Sequence, residues 1–381
     1  MYLIKDVDII KPDKVLKKYD IKFTDKILAI EKDIKKDSKS QMIDGDGFYL
    51  SPGFIDLHLH GSFGIDIMSD RKEDIKEMAD KLLQVGTTSF LPTVMTASYE
   101  RMENVIGNIQ SILKEGSNGI KGINLEGPLL NPAKAGAQDK RYMKAGNLEL
   151  FDKYKDLIKI VTVAPEVEGA AALLKKLKSL NIVAAMGHTN ASYEESLKGF
   201  EDGISLVTHL FNGMKGIHHR DLGAAGAALM EDISTELIVD GIHISPPMIK
   251  MVLKLKENEQ LILITDAQPA ALYKGNEIKF NNKKVILKEG SARFEDGTLA
   301  GSILSMNKAV KNMAEFTELK LDEIIKMATL NPARKINIDS NLGSIDLDKK
   351  ADLILLDNNL NIKGVFKEGK KISQGQENRS E

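Results

Sequence analysis

Short apolar segments recur through the middle of the chain and alternate with segments whose apolar residues have helical spacing. Residues 71–85 show the helical pattern, ended by Gly86, and residues 171–180 repeat it. Apolar strands separated by helices predict a parallel sheet that is covered on both faces. The segments that we interpret as strands are 54–61, 88–93, 122–128, 160–166, 182–189, 206–212, 235–241 and 261–267.

Eight strand candidates separated by helical segments, within about 210 residues, favour a closed (β/α)8 barrel, the TIM barrel of the α/β class. The alternative is an open, doubly wound sheet, which would not require the number eight.

The two ends of the chain have a different pattern, in which short alternating segments predict β-strands. Because the termini of a large domain often lie close together, we expect 1–51 and 346–381 to form one small β-sandwich module. The barrel then occupies 52–345 and carries a β insertion near 276–297. The strand segments at the ends are 2–10, 20–33 with a turn at 24–26, 351–357 and 361–372.

Composition narrows the classes of function. The chain of 381 residues has 53 basic and 55 acidic side chains and a net charge of −2, so it offers no bulk attraction to nucleic acid or to an anionic membrane. It has no cysteine, which excludes disulfides, thiolate nucleophiles and iron–sulfur clusters. No apolar run approaches the ~20 residues of a membrane span. The N-terminus is too charged for a signal peptide, and we therefore expect a cytoplasmic protein.

The histidines follow the strand candidates. In a parallel barrel the carboxyl ends of all strands meet at one rim, and this rim carries the chemistry. Any one histidine taken alone is better explained as a surface or packing residue, but the gathering of all of them at one rim favours a site. They are His58 and His60 at the end of the first strand, His188 at the end of the fifth, His209 in the sixth, His243 after the seventh, and His218 and His219 in the loop after the sixth.

His58 and His60 lie two residues apart on one strand, so both imidazoles occupy the same face and can converge on a metal ion. Such a pair is a weak signal by itself. Glu126 ends the third strand, where a buried carboxylate is costly unless it is paired or binds a cation. With His188 and His209, these residues could hold one or two divalent ions, with Glu126 placed to bridge them. The alternative for Glu126 is a salt bridge to a barrel lysine.

Asp266 ends the eighth strand, where an acid that faces a metal can move a proton between water and a leaving group. The alternative is a helix cap or a carboxylate that orients a histidine ligand. The two common glycine-rich nucleotide-binding motifs, GxxxxGK[ST] and GxGxxG, are absent, and no Ser–His–Asp context is visible.

At this point the chain resembles a known family. The segment PGFIDLHLHG at the first strand, the aspartate of the eighth strand and a β module built from both ends are similar to the amidohydrolase superfamily. Further segments resemble its N-acetylglucosamine-6-phosphate deacetylase family, and the resemblance covers nearly the whole chain. These segments are LEGPLLNPAKAGAQ (125–138), GHTNASYEE (187–195), THLFNGM (208–214), HHRDLGAAGAAL (218–229), DGIH (240–243), LAGSILSM (299–306) and ATLNPAR (328–334).

The resemblance implies a metal-dependent hydrolysis of the acetamide of N-acetyl-D-glucosamine 6-phosphate, in amino-sugar catabolism or recycling, by a homodimer. It implies zinc or iron, or else cobalt or manganese, as one or two ions per subunit. It assigns Asp266 as general base and acid, and His243 as the group that polarises the carbonyl. The implied ligands of the main ion are Glu126, His188 and His209, and those of a second ion are His58 and His60.

The implied substrate contacts are Ala137, Gln138, Asn212, Gly213, Arg220, His243, Leu299, Ala300 and Gly301. Arg220 would bind the phosphate in the site of the neighbouring subunit. Gln138 stands where many relatives have a histidine, and Gly213 stands where many have alanine.

Two other functions stay open from the residues. A deacetylase of an unphosphorylated N-acetyl amino sugar, or of an N-acyl amino acid, would share the metal ligands and Asp266 but would not need Arg220. A non-catalytic relative that serves as an assembly subunit typically lacks some metal ligands, whereas all five positions are filled here.

Overall fold

The computed structural model describes residues 1–116, 119–143, 148–280, 283–288 and 290–373. The chain begins with strands whose alternating burial reflects their alternating sequence. These are β1 (Tyr2–Lys11), β2 (Lys14–Phe23), β3 (Ile27–Glu31), β4 (Gln41–Asp44) and β5 (Tyr49–Pro52).

The middle of the chain alternates strands and helices, as the pattern predicts. Helix α1 buries Ile75, Met78 and Leu82, the stripe identified in the sequence. The elements are β6 (Phe54–Leu59), β7 (Gly61–Ser62), β8 (Ile65–Asp66), α1 (Lys72–Gln84), β9 (Thr87–Met95), α2 (Tyr99–Lys114), β10 (Ile123–Glu126), α3 (Glu149–Lys153), β11 (Ile158–Val163), α4 (Ala170–Ser179), β12 (Val183–Met186), α5 (Tyr193–Glu201), β13 (Ile204–Val207), α6 (Gly223–Met230), β14 (Ser234–Ile238), α7 (Pro246–Leu255) and β15 (Leu261–Ile264). Short 3₁₀ turns lie at Pro132–Lys134, Lys140–Tyr142 and Asn258–Gln260.

The last part of the chain contains the predicted β insertion, three helices and the closing strands. The insertion is a three-stranded antiparallel sheet, of which residues 281, 282 and 289 lie outside the described ranges. The elements are β16 (Glu277–Phe280), β17 (Lys283–Lys288), β18 (Ser291–Phe294), α8 (Met306–Phe316), α9 (Leu321–Ala328), α10 (Leu330–Lys335), β19 (Leu353–Leu356), β20 (Ile362–Lys367) and β21 (Lys370–Lys371).

Eight parallel strands form the barrel, in the order β6-β9-β10-β11-β12-β13-β14-β15. The sheet closes between its first and last strands, where Leu59 pairs with Ala267. The backbone N–H of Asp266 donates to the carbonyl of His58 at 2.9 Å across this seam. The fully buried Asp56 accepts hydrogen bonds from the N–H and the hydroxyl of Thr265, at 3.2 and 2.6 Å. The predicted (β/α)8 barrel is confirmed, and the open sheet is excluded.

Strands from both chain ends form one separate sheet, in the order β21-β20-β19-β5-β1-β2-β3, with β4 beside β1. Phe23 of β2 and Phe366 of β20 have ring centroids 5.1 Å apart. In a flat sheet, strands four positions apart would be separated by roughly 19 Å. The sheet therefore folds over its own apolar core, as the predicted β-sandwich module requires.

The terminal sheet is attached to the barrel through a buried ion pair. The ammonium group of Lys367 in β20 lies 2.6 Å from the Asp352 carboxylate and donates to the Thr88 carbonyl of β9 at 2.8 Å. A buried charge of this kind is tolerated because it is paired and hydrogen-bonded. The proposed domain boundaries at 51/52 and 345/346 stay a prediction, and the end of the second segment, 374–381, lies outside the described residues.

Within the described ranges, every helix is too short or too polar to span a membrane.

Candidate metal centre and active site

Three predicted site residues share one backbone arrangement. His188, His209 and Asp266 each lie two residues beyond the last residue of their strands, β12, β13 and β15. Their φ angles are 46°, 31° and 48°, in the left-handed region that residues other than glycine seldom adopt. Such a conformation costs on the order of 1–3 kcal/mol per residue and is typical of functional sites. His209 therefore follows the sixth barrel strand, whereas the sequence predicted it within that strand.

The carboxylate of Glu126, the last residue of β10, lies at the centre of the site and is 2% exposed. Its Oε1 is 2.9 Å from Nε2 of His188 and 3.2 Å from Nε2 of His209. Its Oε2 is 3.3 Å from Nε2 of His60. One carboxylate thus contacts imidazoles that come from three different strand ends, as a bridging ligand would.

The His-x-His pair lies on the other side of Glu126 and faces Asp266. Nε2 of His58 and Nε2 of His60 are 3.1 Å apart. Oδ1 of Asp266 is 3.6 Å from the first and 3.4 Å from the second. The prediction that both imidazoles share one face of the strand is confirmed.

The electrostatics of the site centre on Glu126. Burial acts to raise its pKa, but the charges of His188, His58 and His60 hold that pKa well below its usual value. Burial also opposes protonation of the imidazoles, yet the Glu126 carboxylate raises the pKa of His58 to about 8 and that of His60 to about 10. Burial acts to raise the pKa of Asp266, and His60 and His58 lower it. The carboxylates therefore remain charged and must be neutralised by protons on the imidazoles or by a cation.

The side chains present suit a divalent metal. Among the residues that the structure describes, two groups have ligand atoms that all lie within 4.8 Å of one another, and they share His58. Imidazole nitrogens and carboxylate oxygens are ligands that zinc and other first-row divalent ions accept. The groups are His58, His60 and Asp266, and His58, Glu126 and His209.

Main-chain carbonyls fix the orientation of two imidazoles. Nδ1 of His188 donates to the carbonyl of Lys134 at 2.8 Å, and Nδ1 of His209 donates to that of Asn212 at 3.0 Å. In this tautomer each Nε2 directs a lone pair toward Glu126, and this lone pair can coordinate a cation.

Most of the candidate metal ligands border a cavity of about 260 Å³ at the carboxyl end of the barrel. The cavity gathers most of the predicted residues. Three predicted residues do not line the cavity. His58 and Ala300 are completely buried, and Arg220 is exposed on the surface of the same chain. The predicted residues that line it are His60, Glu126, Ala137, Gln138, His188, His209, Asn212, Gly213, His243, Asp266, Leu299 and Gly301.

His243 faces the cavity and is held from behind by Asp240. Its Nδ1 donates to the Asp240 carboxylate at 2.6 Å, and its backbone N–H donates to the same carboxylate at 2.7 Å. Burial acts to lower the pKa of His243, and Asp240 raises it above the usual value. Nε2 of His243 is left to act as a hydrogen-bond donor in the cavity.

Gln138 is attached to the central carboxylate. Its amide oxygen accepts a hydrogen bond from the backbone N–H of Thr96 at 2.9 Å, which orients its NH₂ group toward Oε2 of Glu126. Gln138 is 5% exposed, and these two contacts hold its buried amide in place. It can therefore position the carboxylate while its side chain borders the cavity.

Gly213 allows a loop to pass directly over the imidazole of His188. Its φ is +58°, and a Cβ atom added there would lie 3.0 Å from Nδ1 of His188. A larger residue would have to displace the loop or the imidazole.

The loop that contains Leu299 and Gly301 is tied to the eighth barrel strand. The backbone N–H of Ser302 donates to the Asp266 carbonyl at 2.9 Å, and its hydroxyl donates to the Thr265 carbonyl at 2.5 Å. The position of this loop is therefore coupled to that of the predicted proton-transfer residue.

Sequence reasoning missed several residues of the site. Phe280 of the β insertion lines the cavity, with its ring centroid 6.1 Å from that of His60, and Met95 ends the second barrel strand at the cavity wall. Asp240 could have been recognised from its spacing in the DGIH segment, and Glu236 from its place as an acid inside an apolar strand. No local pattern marks Phe280, because only the folded insertion brings it to the barrel mouth.

The chain is similar to known proteins over most of its length. Residues 49–372 match the model of the amidohydrolase family. The chain is 37% identical to the N-acetylglucosamine-6-phosphate deacetylase of Bacillus subtilis strain 168, over 93% of this chain and 92% of that protein.

Solved structures agree with this relationship. The crystal structure of N-acetylglucosamine-6-phosphate deacetylase from Pasteurella multocida superposes with a TM-score of 0.93 at 32% identity, covering 97% of this chain and 99% of that one. The D267A mutant of the Mycobacterium smegmatis enzyme, in complex with N-acetyl-D-glucosamine-6-phosphate, superposes with a TM-score of 0.91 at 25% identity, covering 97% of this chain and 99% of that one.

Removal of metal should destabilise the protein, because the buried carboxylates then lose their cation. An ion at 100 times its dissociation constant stabilises a folded protein by about 2.7 kcal/mol. For a chain of 381 residues this corresponds to a fall of roughly 3 °C in the thermal unfolding midpoint when a chelator removes the ion, and added divalent metal should restore the midpoint. Glu126→Ala removes the central carboxylate and should respond less than the wild type to either treatment. A wild-type midpoint that is insensitive to both chelator and metal would contradict the metal centre.

Proposed function

The chain belongs to the amidohydrolase family and, within it, to the N-acetylglucosamine-6-phosphate deacetylases, and from this premise we propose its reaction. It hydrolyses the acetamide of N-acetyl-D-glucosamine 6-phosphate to D-glucosamine 6-phosphate and acetate, in amino-sugar catabolism or recycling. The observation that carries the proposal is the convergence of Glu126, His188, His209 and Asp266 on one cavity. A cysteine-free chain that acts on a phosphorylated metabolite favours a cytoplasmic location.

Glu126, His188 and His209 would hold the main divalent ion, and His58 and His60 would hold a second. The ion is zinc or iron, with cobalt or manganese as alternatives, since these accept nitrogen and oxygen ligands. When bound, it supplies Lewis acidity to the amide carbonyl and to the attacking water.

Asp266 is the proton carrier. Its lowered pKa keeps it ionised near neutral pH, so it can accept a proton from water as the water oxygen attacks the carbonyl carbon. The same proton then passes to the sugar nitrogen, which can leave as an amine when the C–N bond breaks. This transfer answers the main difficulty of the reaction, because an unprotonated amine is a poor leaving group.

His243 stabilises the negative charge that develops on the carbonyl oxygen. Asp240 holds its Nδ1–H, which orients Nε2–H toward the cavity. A donor fixed in place before the reaction stabilises the transition state without reorganisation during it. Asp240 is therefore a positioning residue for His243.

Substrate contacts come from several loops at the barrel mouth. Asn212 offers its side chain, Gly213 its backbone and Arg220 its guanidinium, which can bind phosphate through two parallel hydrogen bonds. Arg220 is exposed and donates to Nε2 of His219 at 2.6 Å, outside the cavity of its own chain. This position supports a homodimer in which Arg220 serves the neighbouring site. The remaining proposed contacts are Ala137, Gln138, Leu299, Ala300 and Gly301.

A comparison of substrates tests the proposed function directly. We expect the rate constant kcat/KM to be highest for N-acetylglucosamine 6-phosphate and at least about 10²-fold lower without the phosphate, because remote binding energy positions the amide. The C4 epimer of the sugar phosphate and an N-acetyl amino acid complete the panel. Equal rates with and without the phosphate would favour the unphosphorylated amino sugar, and hydrolysis of none would favour the non-catalytic alternative.

Asp266→Asn tests the proton transfer. The amide keeps the size of the side chain but cannot accept the proton from water, so we expect kcat to fall by about 10²–10⁴-fold. Metal content and substrate binding should change little, as measured by elemental analysis and calorimetry. The exposed Asp232→Asn is the control and should keep wild-type activity. Appreciable turnover by Asp266→Asn would assign the proton to another group.

Arg220 can be tested together with the dimer. Arg220→Ala should raise KM for the phosphorylated sugar by about 10–100-fold, the loss of a charged hydrogen-bond pair. If Arg220 acts in the neighbouring site, co-expression of Arg220→Ala with Asp266→Asn subunits should restore one complete site per mixed dimer. The measurement is activity at low substrate concentration. Mixed dimers no more active than the two parents would place Arg220 in its own subunit's site or outside the reaction.

A further inference from the structure

The outer nitrogens of the four metal-site imidazoles have different partners. Those of His188 and His209 donate to main-chain carbonyls. Nδ1 of His60 has no hydrogen-bond partner among the described residues. Nδ1 of His58 lies 3.4 Å from Oε2 of Glu236, so this one imidazole is paired with a carboxylate.

Glu236 lies inside β14 and is completely buried. Its Oε2 also accepts a hydrogen bond from the backbone N–H of His209 at 3.3 Å, while its Oε1 has no partner in the described part of the chain. A buried carboxylate with so few partners is costly unless a cation lies near. Glu236 faces the outer nitrogen of His58, so it acts on a metal ion through that imidazole.

We infer that Glu236 is a positioning residue that makes His58 a strong ligand and thereby favours binding of the second divalent ion. The inference rests on the metal centre of the proposed function. By accepting a hydrogen bond from Nδ1–H, the carboxylate favours the tautomer of His58 whose lone pair is on Nε2, which faces Glu126 and Asp266. Its charge also makes the imidazole a better donor, and carboxylate partners of this kind typically change metal affinity by 10–100-fold.

Charge balance favours the same role. Glu126, Asp266 and Glu236 place three carboxylates in the buried barrel mouth, and Glu236 lies on the side of the His-x-His pair. One divalent ion leaves one of the three negative charges, which a second ion or a protonated imidazole would balance. Glu236 should affect the affinity of the main ion less. The outer nitrogens of His188 and His209, two of its proposed ligands, donate to neutral carbonyls and not to a carboxylate.

Glu236→Gln tests the inference, because the amide keeps the volume and removes the charge. Metal-free protein is titrated with zinc in competition with a chromophoric chelator, without substrate. We expect two ions in the wild type, and in the variant a second ion that binds 10–100-fold more weakly with the first changed less than about threefold. Equal affinities in wild type and variant for both ions would overturn the inference, as would a wild type that binds a single ion at saturation.

Two further comparisons separate this role from general structural damage. Glu166→Gln removes a carboxylate that binds Thr189 and Asn190 beside the metal centre but contacts none of the proposed ligands, and it should leave both affinities unchanged. In a His58→Gln background, adding Glu236→Gln should have no further effect on metal binding, since the intermediary is already gone. An equal loss in that background would show that Glu236 does not act through His58.

If Glu236→Gln does not fold, as judged by circular dichroism of the metal-free form, Glu236→Asp replaces it. The shortened carboxylate keeps the charge but withdraws from His58, so an intermediate loss of second-ion affinity is expected. Unchanged affinity in Glu236→Asp would again overturn the inference. The deacetylase assays are independent of these titrations, so failure of this role and failure of the proposed reaction are distinguishable.

Discussion

The burial of one carboxylate, that of Glu126, is the constraint on which the rest of the site depends. A charge in an apolar barrel mouth is stable only with cations close by, and imidazoles from several strand ends surround it. The Glu126 carboxylate raises the pKa values of His58 and His60, as expected where buried negative charge is in excess. A divalent ion satisfies the same demand and also provides the Lewis acidity that hydrolysis of an amide requires.

The barrel supplies the rigidity that this arrangement needs. Three of the surrounding residues hold left-handed backbone conformations, which persist only where the neighbouring structure enforces them. For Asp266 the enforcing contacts are those of barrel closure: its backbone N–H donates to the His58 carbonyl, and Asp56 joins the first strand to the eighth through Thr265. Barrel closure thus holds Asp266 in a conformation that it would not adopt alone.

The site is assembled from strand ends, tethered loops and an exposed loop. Strand ends carry the proposed metal ligands and Asp266, and short tethered loops carry His243 and Gly213. The β insertion contributes Phe280 at the cavity, and Arg220 lies on an exposed loop whose proposed place of action is a second subunit. The proposed chemistry therefore lies at the ends of the barrel strands, and the proposed substrate recognition lies on loops, which vary more readily.

The sequence by itself determined the barrel and the place of the candidate metal site. Eight apolar strands, with Glu126, His188, His209 and Asp266 at or just beyond their carboxyl ends, leave little choice, because those ends must share one rim. It also predicted strands through 189 and 212, which the left-handed residues His188 and His209 end earlier. Only the tertiary structure decided that Gln138 donates a hydrogen bond to Glu126 and that Glu236 pairs with His58. It also decided that Phe280 borders the cavity. These contacts join residues that lie far apart in the chain or on separate loops, and their distances are set by barrel closure and loop docking, which no local pattern encodes.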